Sequence, residues 1–160
     1  MGTPKALVDG WLRRSVDALI DGGCEQIVVV LGAAAEEARP LLDGREVGVV
    51  VAEDWADGMG ASLRAGLAEI PPHSDVLINL VDLPDVGSDV VARVLTSGAL
   101  LARAMYDGRP GHPVLIGAEH REALVATLRG DVGARPYLDA HDVLAIECGD
   151  LATGADVDQR

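Results

Sequence analysis

Gln26-Ile27-Val28-Val29-Val30-Leu31 is a continuous apolar run, and Asp75-Val76-Leu77-Ile78-Asn79-Leu80-Val81 is a second. Neither alternates polar with apolar residues. A strand covered by helices on both faces has no wet side to show, so both runs read as central strands of a buried sheet. Working outward, Trp11 to Asp21 places Trp11, Leu12, Val16, Leu19 and Ile20 on one broad helical face, and Gly22-Gly23 ends it. Ala34 to Leu42 reads as a helix made irregular by Pro40, Val47 to Ala52 as a strand and Gly60 to Ile70 as a helix. Ser88 opens a helix with Asp89 favourably placed in its first turn. Leu100 to Met105 and Pro113 to Ile116 read as strands flanking a loop over Tyr106 to His112. Short helices over Glu119 to Leu128 and Ala134 to Ala140 lead to a last strand, Val143 to Cys148. Strands alternating with helices predict an α/β class with a mainly parallel, doubly wound sheet. With no repeat, low-complexity stretch or long linker, one domain is expected over residues 1–160.

Composition agrees. Hydrophobic residues make up 49% of 160, but aromatics only 2% with no Phe, so the core is built from Val, Leu, Ile and Ala. A net charge of −13 excludes a nucleic-acid surface, which needs clustered Lys and Arg. It does not exclude a nucleotide held by backbone amides, a few cations and a metal. Lys5 is the single lysine. Cys24 and Cys148 lack metal-ligand spacing and read as reduced core thiols. No signal peptide and no apolar run long enough to span a bilayer are found, so a cytoplasmic location without a membrane partner is expected.

In an open parallel sheet, ligands bind beyond the carboxyl ends of the strands. Asp82, in Val81-Asp82-Leu83-Pro84, directly follows a buried strand; it either holds Mg²⁺ or caps the turn before Ser88. Gly58 and Gly60 precede a helix carrying Ser62 and Arg64, and form either a phosphate-approaching loop or an ordinary turn. Gly108-Arg109-Pro110-Gly111-His112-Pro113 reads as a stiff loop presenting Arg109 and His112, the histidine either orienting substrate or serving structure. Gly130-Asp131-Val132-Gly133-Ala134-Arg135 is a turn opening a helix, with Asp131 and Arg135 at a site or serving as cap and surface charge. Asp156 and Asp158 complete a metal site or form a solvated end.

These segments, with Met1-Gly2-Thr3-Pro4-Lys5-Ala6-Leu7 and Asp57 to Leu67, resemble the MobA-like nucleotidyltransferases along essentially the whole chain. Within that family the likeness is to the molybdenum-cofactor cytidylyltransferases, whose fold is Rossmann-like and related to the nucleotide-diphospho-sugar transferases. The resemblance implies transfer of CMP from CTP to a molybdopterin acceptor, with Mg²⁺ bound and diphosphate released. It implies that Lys5 neutralises the triphosphate and that Asp82 holds the metal with Asp156 or Asp158. Gly58, Gly60, Ser62 and Arg64 would contact nucleotide; Arg109, His112, Asp131 and Arg135 would face the acceptor.

The family places a strand and a Leu-Ala-Ala-Gly-x-Gly-x-Arg loop just before the element that begins here at Met1, and continues past the position of Gln159-Arg160. A domain incomplete at both ends is therefore expected, its neighbouring strands left with unpaired edges unless they close up or another chain covers them. The alternative function is that of a non-catalytic binding module in molybdoenzyme maturation.

Overall fold

A computed structural model describes residues 2–157. A 3₁₀ turn at Lys5–Leu7 leads into α1 (Trp11–Asp21), β1 (Val28–Leu31), α2 (Ala35–Ala38) and β2 (Gly48–Val51). Then come α3 (Met59–Ala68), β3 (Val76–Ile78), α4 (Ser88–Leu95) and the hairpin β4 (Leu101–Tyr106) with β5 (Arg109–Ile116). The last elements are α5 (Ala118–Thr127), α6 (Arg135–Asp139) and β6 (Leu144–Glu147). The Pro40 irregularity is real: α2 passes at Arg39 into a 3₁₀ turn carrying the proline.

The sheet is divided in two. β1 and β2 pair in parallel, and a four-stranded sheet runs in the order β3-β5-β4-β6. β5 is antiparallel to both β3 and β4, while β6 is parallel to β4. Three of these four strands thus share a direction and β5 opposes them, so the sheet is mainly parallel with one reversed strand. The divide falls between β1 and β3, each of which pairs on one side only among the described residues. The two strands have not closed up. A cavity of about 710 Å³ lies between them, walled by residues of β1 and β3 and lidded by α1 and α3.

Both faces of the larger sheet are packed along β4 and β5, while the edge strand β6 is largely exposed. Val76, Leu101, Val114 and Ile116 pack under α3, α5 and α6 with Leu67, Leu124 and Leu138. Ala102, Ala104, Tyr106 and Leu115 pack against Val90 and Val94 of α4. Leu12 and Val16 of α1 cover Val29 and Leu31 of β1. Cys148 is a buried thiol as expected, whereas Cys24 is only half-buried; both are free.

The expected loop over Tyr106 to His112 is mostly strand. Asp107 and Gly108 adopt φ of 50° and 77°, the pair of left-handed conformations that a two-residue hairpin turn requires. Glu147 accepts from the Asp107 amide at 2.8 Å and from that of Gly108 at 3.3 Å, tying the turn to β6. The hairpin is therefore local, and Asp-Gly was its signal.

Arg121, on α5, holds α3 in place. It is buried (7% exposed), and its guanidinium donates to the carbonyls of Leu67 at 2.9 Å, Ile70 and Ser74 at 3.0 Å, and Pro71. A cation at a helix C-terminus meets the partial negative charge of the unpaired carbonyls there. Arg121→Ala is expected to cost about 2–4 kcal/mol, because several carbonyls lose a charged donor. A urea midpoint shifted by less than the equivalent of about 1 kcal/mol, at unchanged slope, would show that water replaces the guanidinium without loss.

Candidate functional site

β3 ends at Ile78, and the chain beyond it lines the cavity through Asn79, Leu80 and Val81 before reaching Asp82. Asp82 is buried, and the ammonium of Lys5 donates to its Oδ2 across 77 residues of sequence. The cap before Ser88 is thus not its role: the Asp89 carboxylate accepts from the Val90 amide in that first turn. The amide of Val157 donates to the Asp82 carbonyl at 3.0 Å, which lays the segment holding Asp156 beside the same strand end. Asp158 lies outside the described residues.

No group of three or more His, Cys, Asp or Glu side chains converges as a metal cage among the described residues. Asp82 with Asp156 nearby supplies one or two carboxylates. That set suits a hard divalent cation that arrives with phosphate oxygens, not one held in a protein cage.

The glycines expected to contact nucleotide lie against the 130–132 turn. Gly58 has φ 125°, and a Cβ there would stand 2.1 Å from the Asp131 carboxylate; one on Gly60 would stand 2.5 Å from the Val132 carbonyl. The Gly60 amide donates to the Gly130 carbonyl at 2.8 Å. These glycines let the 130–132 turn rest directly on the start of α3, joining two segments that sequence separates. Ser62 lines the cavity, but Arg64 points its Nη2 at the Leu128 carbonyl and is not among the lining residues. Arg109 sits exposed at the start of β5 and likewise does not line it.

His112 reaches the cavity through an irregularity in the hairpin. Arg103 pairs with Val114 and Met105 with Pro110, so Gly111, His112 and Pro113 stand opposite the single residue Ala104. A bulge of this kind re-aims a side chain. The Tyr106 hydroxyl donates to the His112 carbonyl at 2.6 Å and fixes the bulge from the other face. The imidazole is pushed down to about 4, first by burial and then by the Arg103 guanidinium, against a weaker upward pull from Asp82. His112 is therefore neutral near pH 7 and serves as one donor and one acceptor. Asp131 and Arg135 also line the cavity.

Sequence reasoning passed over Arg103. It stands in the middle of β4, and burial lowers its pKa, with Asp139 opposing the shift and Arg135 adding to it. A lone arginine inside the apolar run Leu100 to Met105 was the available signal. Asn79, whose buried Oδ1 has no hydrogen-bond partner, was passed over as well.

Comparison with known proteins places this geometry. The family model described as MobA-like NTP transferase domain matches residues 1–144. Nicotine blue oxidoreductase of Paenarthrobacter nicotinovorans is 36% identical over 170 residues, spanning 97% of this chain and 83% of that protein. Rv0371c from Mycobacterium tuberculosis H37Rv superposes with a TM-score of 0.81 at 27% identity, covering 98% of this chain and 85% of its own. A structure of Rv0371c in complex with manganese gives 0.81 at 26%, covering 98% and 88%. A nucleotidyl transferase from Methanothermobacter thermautotroptrophicus shares the fold, with a TM-score of 0.74 at 20% identity over 89% of this chain and 74% of that one.

The neutral His112 makes stability depend on pH. Between the ordinary 6.5 and about 4 the unfolded chain binds a proton that the folded chain refuses. Its contribution therefore falls as pH drops through that window and levels off below about 4. Urea midpoints of the wild type and His112→Asn should converge in slope above pH 7 and diverge between 6.5 and 4, the variant falling less steeply. Parallel profiles throughout would mean that His112 titrates normally in the fold.

Proposed function

The chain belongs to the MobA-like NTP transferase family, and from that premise we propose that it is a divalent-metal-dependent nucleotidyltransferase. The reaction would pass CMP from CTP to a molybdopterin-type acceptor and release diphosphate. The observation that carries this reading is the Lys5–Asp82 pair at the end of β3, on the sheet edge where α/β proteins bind ligands.

The pair holds in advance the two charges that a metal–triphosphate complex needs. Buried alone, Asp82 would be costly, and Lys5 compensates it. With nucleotide bound, Lys5 would pair with phosphate oxygens and Asp82 would hold the divalent cation, so neither group would be left uncompensated. A divalent cation at Asp82 and Asp156 would neutralise phosphate charge; Mg²⁺ is the expected ion, and the manganese complex of Rv0371c supports a divalent cation. Lys5, itself half-exposed, can follow the phosphates without leaving solvent. No nucleophile from the protein is required, because such transfer asks mainly for positioning and charge neutralisation. Ser62 and neutral His112 supply hydrogen bonds along the cavity wall.

A second reading rests on the 36% identity to a protein named as an oxidoreductase. On the same scaffold, the cavity would hold a flat aromatic heterocycle beside an electron-donating cofactor, and the Lys5–Asp82 pair would be structural.

Calorimetric titration with CTP plus Mg²⁺, with GTP as comparison, separates the readings. Saturable, Mg²⁺-dependent binding that favours CTP is expected. Asp82→Asn should lower metal-dependent diphosphate release by roughly 100-fold or more, and Lys5→Met should weaken nucleotide binding by about 10-fold. Bleaching of nicotine blue by reduced nicotinamide dinucleotide, without diphosphate release from CTP, would replace the transferase reading with the second one.

A further inference from the structure

We propose that Arg103 and Arg135 form an anion-binding pair on the cavity wall that holds a phosphate-type oxyanion of the second substrate. The proposal rests on the transferase reading for the identity of that substrate, though not for the anion site itself.

The placement of Arg103 is unusual for a β-strand arginine. Along β4 the buried residues Ala102, Ala104 and Tyr106 face α4, while Leu101 belongs to the opposite core under α3, α5 and α6. Alternation along a strand puts Arg103 on the Leu101 side, and there it lines the cavity beside His112 of the neighbouring β5. Its Nε is buried with no hydrogen-bond partner. Arg121, whose Nε is also unpartnered, spends its other nitrogens on four backbone carbonyls and is accounted for by the fold. Among the described residues no hydrogen bond or contact ion pair does the same for Arg103.

A second cation stands near it. Arg135, the first residue of α6, lines the same cavity, and its charge reaches Arg103. Two guanidinium groups gathered at a partly desolvated wall repel one another, and Asp139 offsets this only from beyond contact distance. An oxyanion between them would relieve the repulsion and take up the Nη hydrogen bonds of Arg103, which no group among the described residues claims. The parallel N–H bonds of a guanidinium edge match two oxygens of one phosphate, which a lysine cannot reproduce. Neutral His112 can add a hydrogen bond without adding charge. Asp131, which lines the cavity too, rests against Gly58 at the start of α3.

The test uses the folded chain and inorganic phosphate, at constant ionic strength set with chloride. Phosphate is titrated while the Arg103 Nε–Hε resonance is followed in a ¹⁵N-edited spectrum, with melting curves confirming that each variant folds. Saturable movement of that resonance is expected. Arg135→Met should weaken the apparent affinity by about 10-fold, and Arg103→Lys, which keeps stem and charge but loses the fork, by a similar factor when binding is read by calorimetry. Lys5→Met and Asp82→Asn should leave the Arg103 response unchanged. An unmoved Arg103 resonance in the folded wild type, or wild-type affinity in both arginine variants, would overturn the pair. Should CTP and Mg²⁺ fail to bind while phosphate still titrates Arg103, the transferase reading fails and the anion site stands. CTP binding by a chain whose Arg103 resonance phosphate leaves unmoved has the opposite meaning.

Discussion

A buried strand has two edges to satisfy, and this requirement shapes the molecule more than any single contact. β5 meets it within the larger sheet by running antiparallel between β3 and β4, filling a place that a parallel strand would need a long crossover to reach. Among the described residues β1 and β3 meet it on one side only, and the space between their facing edges is the cavity of about 710 Å³. Helix α3 spans the divide, packing on the larger sheet and touching β1, while α1 covers β1. The cavity is thus a consequence of sheet topology and not a hollow cut into a finished core.

The same topology gathers the few cations of a strongly acidic chain. Lys5 reaches Asp82 from the N-terminal 3₁₀ turn, Arg103 comes from the middle of β4, and Arg135 from the start of α6. All three arrive at or beside one cavity, while other arginines are consumed at the surface or in the frame. Arg45 pairs with Asp17 and Arg93 with Asp150, both by two nitrogens, and Arg121 caps the end of α3. Charge economy therefore supports a phosphate-bearing ligand despite a net charge of −13. His112 completes the arrangement by remaining neutral beside Arg103, because protonating it would add a third positive charge in a poorly solvated place.

Sequence periodicity alone gave the class: apolar runs at 26–31 and 75–81 without alternation, amphipathic helices between them, and therefore a sheet covered on both faces. The segments that gather around the cavity were also visible as Gly-, Asp- and His-bearing loops after buried strands, each with an ordinary turn or cap as its alternative. What each of their residues touches was not visible. Gly58 and Gly60 admit a turn 70 residues away, Arg64 binds a carbonyl, Arg109 faces solvent, and the loop drawn around His112 is a bulged hairpin strand. Arg103 stood out in the sequence as a lone charge in an apolar run, but its place beside His112 was decided only by the pairing of β4 with β5. Local pattern reports which face of an element is apolar, a property of neighbours three or four residues apart. The insertion of β5 between β4 and β3, the divide between β1 and β3, and the meeting of Lys5 with Asp82 join residues tens of positions apart; only packing of the whole chain could fix them, since backbone edges and buried charges find their partners at that level alone.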